Sequence, residues 1–132
     1  RLSGSMEVAW SPDGERIASG DALGNVCLWT ASTNQCDGFI HAHRSAVFSL
    51  AWSPDGTHLT TGAGVIRVWD TSNGQLVEAF GEYDDMRYSQ IEWLNLQAPL
   101  ITLQTGIDDE SITVVRLWDI QTGKIVVEFK GG

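Results

Sequence analysis

Short runs dominated by Val, Ile, Leu, Thr and Trp alternate along the chain with polar stretches, and Gly, Asp or Pro punctuate it every 8 to 12 residues. Runs of that length, rich in β-branched and aromatic residues and bounded by turn formers, predict strands and leave no segment long enough for an amphipathic helix. Residues 47–52 (VFSLAW) are the plainest strand. SPDG at residues 53–56 then turns the chain, because Pro54 supplies a fixed φ and Gly56 tolerates a positive one. Strands are predicted next at 58–61, 66–69 and 76–80, with DTSNG (70–74) closing the last hairpin.

The same pattern occurs three times. Trp10, Trp52 and Trp93 recur at spacings of 42 and 41, and Trp29, Trp69 and Trp118 at 40 and 49. VAWSPDG (8–14) returns almost unchanged as LAWSPDG (50–56). The first unit predicts strands at 5–10, 16–19, 26–29 and 35–40; the third predicts them at 89–93, 100–104, 113–118 and 125–129. The third unit departs from the pattern, with LNLQAP in place of SPDG and extra length in GIDDES (106–111). One four-stranded antiparallel sheet cannot bury both of its apolar faces, but sheets stacked side by side around an axis can. A fixed period of about forty residues therefore selects an all-β propeller segment over a sandwich.

With 132 residues, 42% of them hydrophobic types, the chain can build a packed core. Eight basic residues against 17 acidic ones give a formal charge of −9 without any basic run, so no direct nucleic-acid partner is expected. No window reaches 18 apolar residues and no secretory signal is visible, which argues against a membrane span. Cys27 and Cys36 read as small buried or semi-buried side chains in neighbouring strands, not as a disulfide framework, which points to a reducing, intracellular setting, cytoplasmic or nuclear. The absence of an initiator Met at Arg1 and the placing of both termini between units are expected of a segment cut from a longer chain.

VAWSPDGERIASGDALGNVCLW (8–29), AHRSAVFSLAWSPDGTHLTTGAGVIRVWD (42–70) and VVRLWDIQTG (114–123) resemble the WD-repeat proteins over essentially the whole chain. The resemblance implies three four-stranded blades, at approximately 1–40, 41–81 and 82–132, with the ring completed by further blades of the parent chain, by a partner, or by a second copy making six. It also implies a buried hydrogen-bond tetrad of His, Ser or Thr, Asp and Trp in each blade. Carried over, the second unit offers His43, Thr61 and Trp69 but no Asp at Gly64 or Val65. The first offers Ser19 and Trp29 with Leu23 at the Asp position, and the third offers Trp118 with Thr105. The six tryptophans Trp10, Trp29, Trp52, Trp69, Trp93 and Trp118 are assigned to packing, together with His43 and Thr61.

Catalytic chemistry finds little purchase. Ser45 follows His43 but lacks a nucleophile-elbow context, and neither GNVCLW nor TTGAGV ends as a phosphate loop does. His41, His43 and Asp37 are the sole grouping with a hint of zinc, and in the family register His43 turns inward away from His41; Asp108, Asp109 and Glu110 match no calcium loop. No cofactor or metal is therefore expected. The expected function is a non-enzymatic scaffold for protein partners, using the loops on the face that this family most often presents. Arg44, Tyr83, Asp84, Asp85, Arg87, Tyr88, Asp108 and Asp109 are the candidate contacts, beside Leu23, Ser45 and Val65. The alternatives are a structural half-ring whose work is self-assembly, and an enzyme or small-molecule binder using the axial channel of a completed ring.

Overall fold

The computed structural model describes residues 7–81, 86–93, 100–106 and 113–131. Twelve strands occupy them. The first sheet is β1 (Glu7–Trp10), β2 (Arg16–Gly20), β3 (Asn25–Thr30) and β4 (Gln35–His41). The second is β5 (Ser49–Trp52), β6 (His58–Gly62), β7 (Ile66–Asp70) and β8 (Leu76–Phe80). The third is β9 (Met86–Trp93), β10 (Leu100–Gly106), β11 (Thr113–Asp119) and β12 (Lys124–Gly131). Each sheet is an antiparallel meander in chain order. The strand β5 starts two residues later than the apolar run predicts, because Val47 N–H donates to Asp21 O of the first sheet (3.0 Å) instead of pairing within its own.

The turns follow from their residues. In SPDG, Asp55 accepts from the Thr57 N–H and from the Ser53 and Thr57 hydroxyls, and these bonds hold its carboxyl at a pKa of about 2. The same turn in the first sheet uses Ser11, Asp13 and Glu15. Each sheet also carries a bulge where its third and fourth strands pair, at Leu28/Trp29, Val68/Trp69 and Leu117/Trp118, which leaves Asp37, Val77 and Val126 without an opposite residue.

The sheets stack through their first strands, β1 against β5 and β5 against β9. Ala18, Val26, Leu28, Ile40, Val47, Trp52, Leu59 and Trp69 fill the first junction; Ile66, Ile91 and Trp118, with Phe80, Trp93 and Ile125, fill the second. Trp52 shows how the stack is keyed. Its indole N–H donates to Ala9 O of the neighbouring sheet (2.9 Å), and the Arg16 guanidinium lies 5.5 Å over its ring. Trp10, the same position one sheet earlier, is 60% exposed beside an exposed Val8, because no described residue covers that flank.

Cys27 and Cys36 correct the sequence reading: they form a disulfide between β3 and β4. In the register Cys27 faces Phe39 and Cys36 faces Trp29, on either side of the bulge, a juxtaposition that their spacing of nine residues does not reveal. Free thiols consequently no longer support a reducing compartment.

Candidate protein-interaction surface

One edge of the stack is made by the β2–β3 turn and the segment that links β4 to β5. Asp21 is buried, and its Oδ1 accepts the N–H groups of Leu23 (2.9 Å) and Asn25 (3.0 Å), which closes the turn. Gly24, at φ +89°, turns its carbonyl to the linking segment and accepts from Ala42 N–H (2.9 Å) and His43 N–H (3.0 Å). With Val47 N–H on Asp21 O, the turn and the linker are clasped by three backbone bonds. The clasp leaves Leu23, 61% exposed, on the same edge as the exposed Arg44 and Ser45. A fixed backbone carrying an apolar and a cationic side chain can recognise another protein with little ordering cost.

Beneath this edge His43 is buried. Its Nε2 meets Thr61 Oγ1 at 2.8 Å, and Trp69 Nε1 donates to the same oxygen at 3.0 Å, which joins the linker to β6 and β7. Where the family's tetrad would place an acid there is none; instead Arg67 Nη1 donates to Ala42 O at 2.5 Å. Burial, and then the Arg67 charge, push the imidazole down from 6.5 to about 4.

An unfolded chain therefore takes up this proton as pH falls through 6.5, whereas the native one does not until about 4. The native state's advantage is complete above that window and declines across it, by about 3 kcal/mol. Urea midpoints for wild type and His43→Gln should show it: the wild type loses more stability between pH 7 and pH 4.5, and equal slopes would contradict a neutral buried His43.

The equivalent indole bonds recur. Trp29 Nε1 donates to Ser19 Oγ (2.8 Å) and Trp118 Nε1 to Thr102 Oγ1 (2.9 Å). Thr102, not Thr105, is thus the partner of Trp118. Register explains it: the hydroxyl residue faces the position two before the tryptophan, as in Ser19↔Cys27, Thr61↔Arg67 and Thr102↔Arg116. The signal was present in the constant offset of nine residues from Trp10, Trp52 and Trp93, which the irregular length of the third unit obscured. Trp93 is half-buried, and its Nε1 has no partner among the described residues.

Arg44 lies at the exposed edge. Arg87 and Tyr88 are on β9, opposite Thr105 and Gln104, and their side chains lie outside the described set. Tyr83, Asp84, Asp85, Asp108 and Asp109 fall outside the described residues altogether. His41 and His43 diverge: the first meets Asn25 Oδ1 through Nδ1 (2.7 Å) on the exposed face of β4, the second points into the core. Asp21 was missed by the sequence reading, which sought an acid at Leu23, two residues later.

Four-stranded meanders stacked through their first strands, with tryptophans keyed to a hydroxyl within the sheet, define a segment of a β-propeller. The model "WD domain, G-beta repeat" matches residues 3–30 and 34–70, and the chain belongs to the WD-repeat β-propeller family. It is 26% identical over 114 residues to WD repeat-containing protein 90 of Mus musculus, covering 85% of this chain and 6% of that protein. Its fold matches the RRP9 WD40 repeats with a TM-score of 0.80 at 18% identity, over 99% of this chain and 44% of that one. It also matches the Myceliophteria_thermophila Cps50 (Swd1) β-propeller domain with a TM-score of 0.68 at 15% identity, over 100% and 57%. The chain therefore spans a small part of the curated relative and about half or less of these solved propellers.

Proposed function

We propose that this chain is a non-enzymatic binding segment of a WD-repeat propeller that holds protein partners within a larger assembly. The clasp at Gly24 carries the reading, since it fixes Leu23 and Arg44 on one edge. Arg87 and Tyr88, with Tyr83, Asp84, Asp85, Asp108 and Asp109, extend the same surface in this proposal. His43 is committed to Thr61 in the core, so no imidazole is turned to Ser45 for nucleophilic chemistry.

Further blades, from the same polypeptide or a partner, complete the ring. A second copy fits less well. Phe80 seats its ring 5.2 Å from Trp118 and against the turn of Gly123, where an added Cβ would come within 3.1 Å of it. Phe129 holds the equivalent register position, opposite Val115 as Phe80 is opposite Ile66, and is 60% exposed. In a ring of two copies Phe129 would meet the first sheet's corresponding turn, which carries Asn34 at φ 58° in place of glycine.

The test is affinity capture with the intact protein, comparing wild type with a Leu23→Asp/Arg44→Glu variant and a Tyr83→Ala/Arg87→Ala/Tyr88→Ala variant. A stoichiometric partner should be lost from the variants while their melting temperatures stay within a few degrees of wild type. Retention of every partner by both variants would defeat the proposal.

A further inference from the structure

A cavity of about 480 Å³ opens between the first two sheets at the strand ends opposite the Gly24 edge, lined by residues of β3 and β4, by Arg16, and by the β7–β8 turn from Thr71 to Gly74. We propose that it is a second docking site, taking an extended peptide that adds along the free edge of β4 and sets a carboxylate on Arg16.

Three observations carry the assignment. First, β4 is the last strand of its sheet, and four consecutive residues of it, Asp37 to Ile40, line the cavity. Consecutive residues belong to both faces of a strand, so the space, which covers the sheet face at Leu28 and Arg16, also reaches the edge of β4, where backbone groups are open to a further strand. Second, the cavity exists because of two particular residues. The register positions held by Glu78 and Phe80 in the second sheet are held here by Gly38 and Ile40, and Phe80 fills its own junction against Trp118 and Gly123. Phe39, beside them, is 66% exposed and forms an apolar wall, while the buried Leu28 and Ile40 make the floor.

Third, the cavity contains a held cation. Arg16 is half-buried, and its Nη2 donates to Thr71 O (3.1 Å) while the guanidinium lies over Trp52. It is in none of the ion pairs among the described residues, which join Arg116 and Lys130 to Glu128, although the Asp13 carboxylate is close enough for the two charges to interact. In a chain of net charge −9, a pinned guanidinium with N–H donors left over is a directional site for a carboxylate. Asp37, the bulged residue of β4, accepts from the Thr30 hydroxyl and stands where a peptide N–H would arrive. The occupant implied is an extended segment with an Asp or Glu next to an apolar side chain, the acid on Arg16 and the apolar group against Phe39 and Ile40.

Selection of a random peptide display library on the purified protein tests this directly. Enriched sequences should carry an Asp or Glu flanked by Val, Ile, Leu or Phe. A synthetic peptide of the enriched sequence should bind about tenfold more weakly to Arg16→Gln, and to Phe39→Ser, which removes an exposed ring without touching the core. Changing the peptide's acid to its amide should cost a similar factor in wild type and little in Arg16→Gln, and Leu23→Asp should leave binding unchanged. Amides of residues 35–41 should gain protection from hydrogen exchange on binding. Absence of any enriched sequence, enrichment without an acid, or equal binding by both variants would overturn the assignment, and none of these outcomes bears on the Leu23–Arg44 edge.

Discussion

Replacing Gly24 by alanine should destabilise the protein by about 4 kcal/mol or more, enough to unfold the first junction. The expected size comes from geometry. A Cβ at Gly24 would lie 1.9 Å from His43 O and 2.7 Å from Ser45 O, both backbone atoms that cannot swing aside. The linker would have to move, which breaks the bonds from Ala42 and His43 N–H to Gly24 O and draws His43 away from Thr61. Backbone strain at φ +89° adds roughly 1–3 kcal/mol. Gly14 provides the comparison: it too has positive φ, +75°, but an added Cβ there meets nothing within 4 Å, so Gly14→Ala should cost only about 1 kcal/mol. Denaturant unfolding of the two variants decides the matter, and similar losses would mean that the clasp does not hold the sheets together.

Removing the Trp118 side chain should cost about 3–5 kcal/mol. Trp118 is 1% exposed, packs on Phe80 and bonds Thr102, so alanine would leave both a cavity and a buried hydroxyl without its donor. Phenylalanine keeps most of the volume but not the N–H, and should cost about 1–2 kcal/mol. Trp10 turns the same measurement into a probe of the first flank. With that flank bare its loss should cost well under 1 kcal/mol, whereas in a ring where another blade covers it the cost should approach that of Trp118. A Trp118→Ala variant as stable as wild type would remove the second junction as a structural element.

The blade arrangement was legible because its signals are local. Each strand, turn and tryptophan is specified within a window of about ten residues, and repetition confirms the reading; the SPDG turns bond internally, through Ser11 with Asp13 and Ser53 with Asp55. Where the third unit varies in length the local signal slips: the family pattern points to Thr105, and the folded register puts Thr102 under the Trp118 indole. The acid position of the first blade's tetrad is held by Leu23, whereas the buried Asp21 two residues earlier closes the turn by accepting the Leu23 and Asn25 N–H groups, a role that depends on which N–H groups the folded turn points at it. The candidate contacts rest on side-chain chemistry and on the loop face that the family resemblance implies, and of these the described structure positions the Arg44 side chain, at the exposed edge.

From its sequence alone this protein had its secondary structure, its strand order and its membership of a stacked array determined, since periodic apolar runs and turn residues act on near neighbours. Tertiary structure alone decided the Cys27–Cys36 bond, the Gly24 clasp, the neutral His43 beside Arg67 and the Arg16 cleft. These join residues distant in the chain, such as His43 with Thr61 and Arg16 with Thr71. They arise only when strands pair and one sheet is laid against the next, because strand register, the bulge beside each tryptophan and the packing of neighbouring sheets set which atoms meet.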